Sequence, residues 1–209
     1  MFSLTFEEFT ALAQKGNLIP VTCRILADFE TPLSAYRKLR GQGESFLLES
    51  IEGGDSVGRY SFVGCNPRAI IRQNGSTVEV VENGKPAQTF TVSARAAAGD
   101  SSVVRDGLAV IEQVMKQFKP VTFPGVPGFT GGAVGFIGYE FIHDVEPIVP
   151  RPPKDDLGTP VMYFLIADEV LVFDRVSQTI TVVVNASVDG RNSQEAYEDA
   201  CDELGRLLS

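Results

Sequence analysis

The fold is indicated most clearly by residues 69–84, which read AIIRQNGSTVEVVENG. Asn74-Gly75 and Asn83-Gly84 are pairs that easily adopt positive φ, and such pairs form the tight turns of β-hairpins. Between these turns lies a run of high β propensity, Thr77, Val78, Val80 and Val81. With the apolar run before it, this stretch predicts an antiparallel meander over residues 59–92.

The rest of the chain predicts further strands and several helices. Strands are expected at residues 19–26, 46–51, 161–173 and 179–187. The last two are expected to form a long hairpin around Arg175-Val176-Ser177. Helices are expected after a capping box at Thr5 and Glu8, after Thr31-Pro32, after Ser101 or Ser102, and after Asn192 or Ser193. Residues 94–99 read as a linker and residues 147–160 as a proline-rich loop. The pattern predicts an α+β fold of antiparallel β-sheets with outer helices.

Composition excludes several classes of protein. The chain has 209 residues, 44% of them hydrophobic and 22% charged, which is ordinary for a globular domain. A net charge of -9 disfavours nucleic-acid binding, which needs a basic surface. The three cysteines are widely spaced, so they predict neither disulfides nor a zinc site. The sequence shows no signal peptide and no membrane span, so we expect a cytoplasmic protein.

Few residues offer catalytic chemistry. His143 is the single histidine, and a nucleophilic system of the Ser-His-Asp or Cys-His kind would have to use it. The chain has no G-x-S-x-G elbow, so a structural or surface role is favoured. The glycines of residues 131–138 have the wrong spacing for a dinucleotide or phosphate loop. They favour a strand in which backbones approach closely.

The stretch Leu47-Leu48-Glu49-Ser50 places a carboxylate and a hydroxyl at the end of a hydrophobic strand. An apolar pocket with one anion and one hydroxyl suits the ammonium end and the apolar body of an amino acid. A solvated glutamate at a strand end is the alternative, and the residues alone leave both interpretations open.

Several motifs, in the same order along the chain, resemble the N-terminal region of anthranilate synthase component I, a chorismate-utilising enzyme family. Its opening is matched by residues 17–21, NLIPV, and 27–36, ADFETPLSAY. Residues 46–50, FLLES, match the family's Leu-Leu-Glu-Ser element. Residues 58–64, GRYSFVG, and 131–140, GGAVGFIGYE, complete the pattern. The resemblance thus spans most of the chain.

The resemblance implies a lyase of tryptophan biosynthesis. Such an enzyme converts chorismate and ammonia, released from glutamine by an amidotransferase component II, to anthranilate and pyruvate. It requires Mg²⁺ and is inhibited by tryptophan. Because the Leu-Leu-Glu-Ser element forms part of the inhibitor site, Glu49 and Ser50 are implied to engage the amino group of tryptophan. Leu48 and Pro20 are implied to wall its indole.

The resemblance stops before the half of the family that performs the chemistry. Family members are much longer, and the chorismate-binding half with its magnesium carboxylates has no counterpart here. We therefore expect residues 1–209 to be an N-terminal regulatory domain, half of a β-sandwich-like core, that is inactive alone and contains no catalytic or metal-binding residues. Strands facing the missing half would expose an edge, which predicts self-association.

Two other functions remain open. Aminodeoxychorismate synthase component I, of the folate pathway, has a similar architecture and differs in the position of the product's amino group. Residues 58–64 favour anthranilate synthase over this relative. A free-standing amino-acid-binding regulatory module is the second alternative, and it comes from a different class of protein.

Overall fold

The computed structural model describes residues 3–50, 58–93, 100–146, 148–150 and 157–209. The helices in these residues are α1 Phe6–Ala13, α2 Pro32–Leu39, α3 Gly107–Met115, α4 Ile142–Val145 and α5 Ser193–Leu208. The strands are β1 Leu18–Leu26, β2 Phe46–Leu48, β3 Tyr60–Cys65, β4 Ala69–Asn74, β5 Thr77–Glu82, β6 Lys85–Val92, β7 Val103–Val104, β8 Gly132–Ile137, β9 Met162–Ala167, β10 Glu169–Asp174 and β11 Thr179–Ser187. None of the described helices is long and apolar enough to cross a membrane.

The chain divides into two compact units. The first unit contains Met1–Pro67, Phe118–Gly131 and Ala167–Ser209. The second unit contains Arg68–Gln117 and Gly132–Ile166. Each unit is built around one sheet whose strands are mainly antiparallel, which confirms the α+β class. The predicted linker at residues 94–99 and half of the predicted loop at residues 147–160 lie outside the described residues.

The first unit contains a five-stranded antiparallel sheet in the order β1-β11-β10-β3-β2. Side chains alternate between the two faces of a strand, so alternate residues of β1, β10 and β11 share one face. That face is covered by α1, α2 and α5, which contribute Phe9, Leu39 and Leu204 to its core. A smaller apolar cluster lies on the other face and includes Val170 and Val183.

The helices of the first unit begin where the sequence predicts. Thr5 accepts a hydrogen bond from the backbone N–H of Glu8, whose carboxylate accepts in turn from the Thr5 N–H. Thr31 caps α2 in the same reciprocal way with Ser34. Asn192 caps α5. These caps depend on residues three or fewer positions apart, so local sequence is enough to predict them.

The second unit shows that the predicted meander over residues 59–92 is wrong at its start. Strands β4, β5 and β6 do form a meander through the two predicted Asn-Gly turns. However, β3 pairs with β2 and β10 in the first unit, and β4 pairs with β9 instead. The chain leaves one sheet for the other at Asn66, which has a φ of 43°, and Pro67. Proline supplies no N–H to a ladder, so it interrupts the pairing.

Two other predictions need correction. Asp106, rather than Ser101 or Ser102, caps α3, and Val104 lies in β7 beside β6. The predicted strand over residues 161–173 is two strands, because β9 belongs to the second unit and β10 to the first. The hairpin turn after β10 is as predicted, since β10 and β11 pair in register around it.

The glycine-rich stretch at residues 131–138 forms β8, as its composition predicts. A Cβ on Gly135 would lie 1.9 Å from the carbonyl oxygen of Tyr163 in the neighbouring strand β9. The obstacle is backbone, so a rotamer change would not relieve it. Gly135 is therefore required for the close approach of β8 to β9.

Replacing Gly135 by alanine should lower the free energy of unfolding by about 3 kcal/mol, because the new Cβ forces two backbones apart. Gly205 is the matched control, because it lies within α5 and a Cβ there meets nothing within 4 Å. Gly205→Ala should raise the free energy of unfolding by about 0.5–1 kcal/mol. Urea unfolding of both variants measures the difference, and equal stability of Gly135→Ala and the wild type would contradict the structure.

Candidate functional site

A cleft lies at one end of the first unit's sheet, where β1 and β10 end and β3 and β11 begin. Its volume is about 580 Å³, within the range of about 300–1,000 Å³ that small-molecule sites occupy. The described residues that line it are Ala27, Asp28, Glu30, Thr31, Pro32, Glu49, Ser50, Ser61, Phe173, Asp174, Arg175, Gln178 and Thr179. The lining thus combines a few apolar side chains, among them Pro32 and Phe173, with many polar groups.

Glu49 and Ser50, the two residues predicted to contact an amino acid, both line this cleft. They follow β2, which pairs with β3 up to Leu48 and Phe62. Within the described residues, neither the Glu49 carboxylate nor the Ser50 hydroxyl makes a hydrogen bond. Both polar groups are therefore available to a ligand.

An ion pair between Arg59 and Asp174 stabilises another wall of the cleft. Arg59 donates from Nε to Oδ1 of Asp174 at 2.9 Å and from Nη2 to Oδ2 at 2.5 Å. The Asp174 side chain is only 14% exposed. The pKa of Asp174 lies well below its usual range, chiefly because Arg59 donates these hydrogen bonds and also because Ser177 and the Val176 N–H donate to the carboxylate. Asp174 is thus ionised and already paired.

Arg175, the next residue, connects the turn after β10 to two other backbone segments. Its Nη1 lies 3.4 Å from the backbone oxygen of Ser50 and 3.4 Å from that of Gly58, and donates to both. The turn after β10 thereby holds the backbone that follows β2. This arrangement positions Ser50 relative to Phe173 and the rest of the cleft.

The opposite wall is the start of α2. Glu30 accepts hydrogen bonds from the Ser34 hydroxyl, at 2.6 Å, and from the Lys38 ammonium. The pKa of Glu30 is lowered, first by Lys38 and then by Ser34. Pro32 occupies the first turn of α2 and presents apolar surface to the cleft. A second acidic group of the cleft is therefore paired within the protein.

Leu48 and Pro20, the other two residues predicted to contact tryptophan, do not line this cleft. Leu48 is 47% exposed on β2, next to Glu49, but does not line the cleft. Pro20 is buried in β1 opposite Asn185, at the other edge of the five-stranded sheet. Four strand spacings of about 4.8 Å separate β1 from β2, which amounts to roughly 19 Å. The structure thus brings Glu49 and Ser50 together and leaves Pro20 apart from them.

Other reactive side chains are unsuited to nucleophilic or metal chemistry. Cys65 is 3% exposed and donates to Glu169 at 3.4 Å; burial raises its pKa to about 12 and keeps it a thiol. Nδ1 of His143 lies 3.2 Å from the backbone oxygen of Val149. Among the residues that the structure describes, no group of three His, Cys, Asp or Glu side chains could hold a metal ion.

Comparison with known proteins agrees with the sequence motifs. The chain is 37% identical to anthranilate synthase component 1 of Acetivibrio thermocellus over 98% of its own length and 38% of the relative's. It is 37% identical to the same protein of Synechocystis over its full length and 39% of the relative's. The chain is homologous to part of anthranilate synthase component 1. It spans less than two fifths of the length of these curated relatives.

A solved structure supports the same relationship. The crystal structure of anthranilate synthase component I from Streptococcus pneumoniae TIGR4 superposes with a TM-score of 0.52 at 28% identity. The match covers 88% of this chain and 36% of the solved chain. No protein-family model matches the sequence.

Sequence reasoning found one side of the cleft in this anthranilate synthase homologue and missed the other. The motif at residues 46–50 identified Glu49 and Ser50. The contributions of Asp174, Arg175 and Thr179 were missed, although a turn was predicted there. These residues reach the cleft only because β10 pairs with β3, and a pairing across more than 100 residues leaves no mark in local periodicity.

The Arg59–Asp174 pair predicts a pH dependence of stability. Folding lowers the pKa of Asp174. The ion pair therefore contributes fully to stability above the pKa of the unfolded state, about 3.9, and this contribution is lost as the pH falls through the pKa of the folded state. Asp174→Asn should lower the free energy of unfolding by about 1–2 kcal/mol at pH 7, because it removes a charge-assisted pair. The difference from wild type should shrink as the pH falls below about 4.

The control is Asp199→Asn, because Asp199 pairs with Arg191 where both side chains are exposed. This variant should change stability by less than about 0.5 kcal/mol at any pH. Urea unfolding from pH 7 to pH 2 tests both variants. A loss of stability in Asp174→Asn that stays constant over this range would contradict the assigned ionisation.

Proposed function

We propose that this chain is the tryptophan-sensing, N-terminal part of an anthranilate synthase component I. The homology supports the family. The observation that carries the sensing role is the position of Glu49 and Ser50, whose side chains line a cleft without a hydrogen-bond partner among the described residues. Glu49 is exposed and Ser50 is half-buried, so a ligand that enters the cleft can reach both polar groups and satisfy them.

The chemistry of the cleft suits an aromatic amino acid. Glu49 takes the ammonium group, and the Ser50 hydroxyl donates to or accepts from the ligand's polar end. Apolar surface for the indole comes from Pro32, Phe173 and Ala27, which line the same cleft. Within the proposal, Pro32 takes the wall position that the sequence assigned to Pro20, and Leu48 supports Glu49 from the preceding strand.

The regulatory mechanism we propose is a shift between two arrangements of the whole enzyme. A ligand changes such an equilibrium only by as much as it prefers one arrangement over the other. Tryptophan bound at the end of the sheet draws β2, the turn after β10 and the start of α2 together, since all three line its cleft. The arrangement stabilised in this way is the inactive one.

The activity of the whole protein is part of the same proposal. It is the conversion of chorismate and ammonia to anthranilate and pyruvate, with ammonia supplied by an amidotransferase component II in the cytoplasm. The described residues offer no magnesium site, so we assign no step of the reaction to this chain. The proposal places the Mg²⁺ ligands, like the chorismate site, outside residues 1–209. The curated relatives named anthranilate synthase favour this reaction over the folate-pathway alternative.

Calorimetric titration with L-tryptophan tests the sensing role directly. Tryptophan should bind this chain, and Glu49→Gln should weaken binding about tenfold, because it removes the charge that pairs with the ammonium group. Glu82→Gln, in the second unit, is the matched control and should leave the affinity unchanged. No binding by the wild type, or equal binding by Glu49→Gln, would contradict the proposal.

Inhibition of the complete enzyme provides a second test. Ser50→Phe should raise the tryptophan concentration needed for half-inhibition by about tenfold or more, because the added ring fills the ligand's space. Turnover without tryptophan is measured alongside as the reference. Unchanged sensitivity in this variant would remove Ser50 from the inhibitor site.

Self-association of the isolated chain is a further part of the proposal. Strand β8 is one of the two outermost described strands of the second unit's sheet and exposes Phe136 and Ile137. An apolar strand at a sheet edge can pair with another chain. Light scattering should show oligomers that Phe136→Lys reduces, because a charge on an edge strand opposes such pairing. A strictly monomeric wild type would contradict this part.

A further inference from the structure

One charge in the cleft is left unexplained by the proposed contacts. Of the described residues that line the cleft, four carry carboxylates: Asp28, Glu30, Glu49 and Asp174. A single lining residue, Arg175, is a cation. An amino acid is a zwitterion, so its carboxylate would be repelled by most of this cleft unless a donor receives it.

The carboxylates do not compete equally for Arg175. Asp174 is paired with Arg59, and Glu30 is paired with Lys38. Arg175 itself forms no ion pair with any described residue. Among the described residues that line the cleft, its guanidinium is therefore the one cationic group, and no described carboxylate balances its charge.

The hydrogen bonds of Arg175 leave one edge of its guanidinium open. Both contacts to backbone oxygens, of Ser50 and of Gly58, use Nη1 at 3.4 Å. The Nε and Nη2 atoms carry three further N–H groups, and these make no hydrogen bond to a described residue. Nε and Nη2 form the pair of parallel donors that matches the two oxygens of a carboxylate.

We infer that Arg175 binds the α-carboxylate of the ligand while Glu49 binds its ammonium group, an assignment that rests on the proposed function. Arg175 reaches the backbone of Ser50, so it lies beside the residues that hold the amino end. The two charged groups of an α-amino acid share one carbon atom, and the cleft then presents one charge to each. Arg175 thereby makes the cleft selective for an amino acid over the corresponding amine.

Comparing L-tryptophan with tryptamine, which lacks the carboxylate, tests this role. Arg175→Gln should weaken tryptophan binding about tenfold and change tryptamine binding by less than about twofold, because only tryptophan loses a partner. Glu49→Gln should weaken both ligands, since both carry the ammonium group. Arg24→Gln, which removes an exposed arginine of the same unit outside the cleft, should weaken neither.

The comparison separates binding from support of the backbone. If Arg175 only holds the residues after β2 in place, Arg175→Gln weakens tryptophan and tryptamine equally, which overturns the inference. Arg175→Lys keeps the charge without the paired donors, and it should retain most of the preference of the wild type for tryptophan over tryptamine. Its tryptamine affinity also reports whether the cleft still folds.

Two results in the wild type have different meanings. Equal affinity for tryptophan and tryptamine overturns the role of Arg175 and leaves the tryptophan site itself in place. Absence of chemical-shift changes with millimolar tryptophan, followed by nuclear magnetic resonance, overturns the proposed function and the inference together. A tenfold selective loss in Arg175→Gln supports both.

Discussion

The pairing of β3 with β10 is the constraint on which the cleft depends. The register places Tyr60 opposite Asp174 and Ser61 opposite Phe173. It therefore brings the end of β10 to the same end of the sheet at which β2 stops. The bidentate contact from Arg59 to Asp174 joins positions 115 residues apart. It lies at the end of the β3–β10 ladder, where Tyr60 is opposite Asp174. The two faces of this sheet carry separate apolar clusters, so a one-residue slip would exchange the side chains that pack in each cluster.

The same end of the sheet shows how the protein distributes its charges. Two of the four cleft carboxylates form ion pairs inside the protein, Glu30 with Lys38 and Asp174 with Arg59. These two pairs stabilise the walls of the cleft. Among the described residues, Glu49 pairs with no cation, and Arg175, the one arginine that lines the cleft, pairs with no carboxylate. A site for a zwitterion requires this kind of asymmetry, since a cleft with every charge satisfied internally gains little from a charged ligand.

Local chemistry accounts for the parts of the structure that sequence predicts well. The caps at Thr5, Thr31 and Asn192 and the Asn-Gly turns depend on neighbours a few residues apart. The predictions that failed concern which strands pair. The alternation of apolar and polar residues predicts that β3 and β4 are strands, but it does not reveal that they belong to different sheets. The second wall of the cleft was missed for the same reason.

The interleaved path of the chain also affects how the protein is synthesised. The first unit needs three separate segments, and β11 stands between β1 and β10 in its sheet. Strand β1 is translated well before its partner β11, because Leu18 pairs with Ser187 and Leu26 with Thr179. Folding during synthesis proceeds from the N-terminus, so the apolar side chains of β1 lack their neighbours in β11 until β11 has been translated. During that interval β1 presents apolar surface and an unpaired strand edge, the features that favour aggregation.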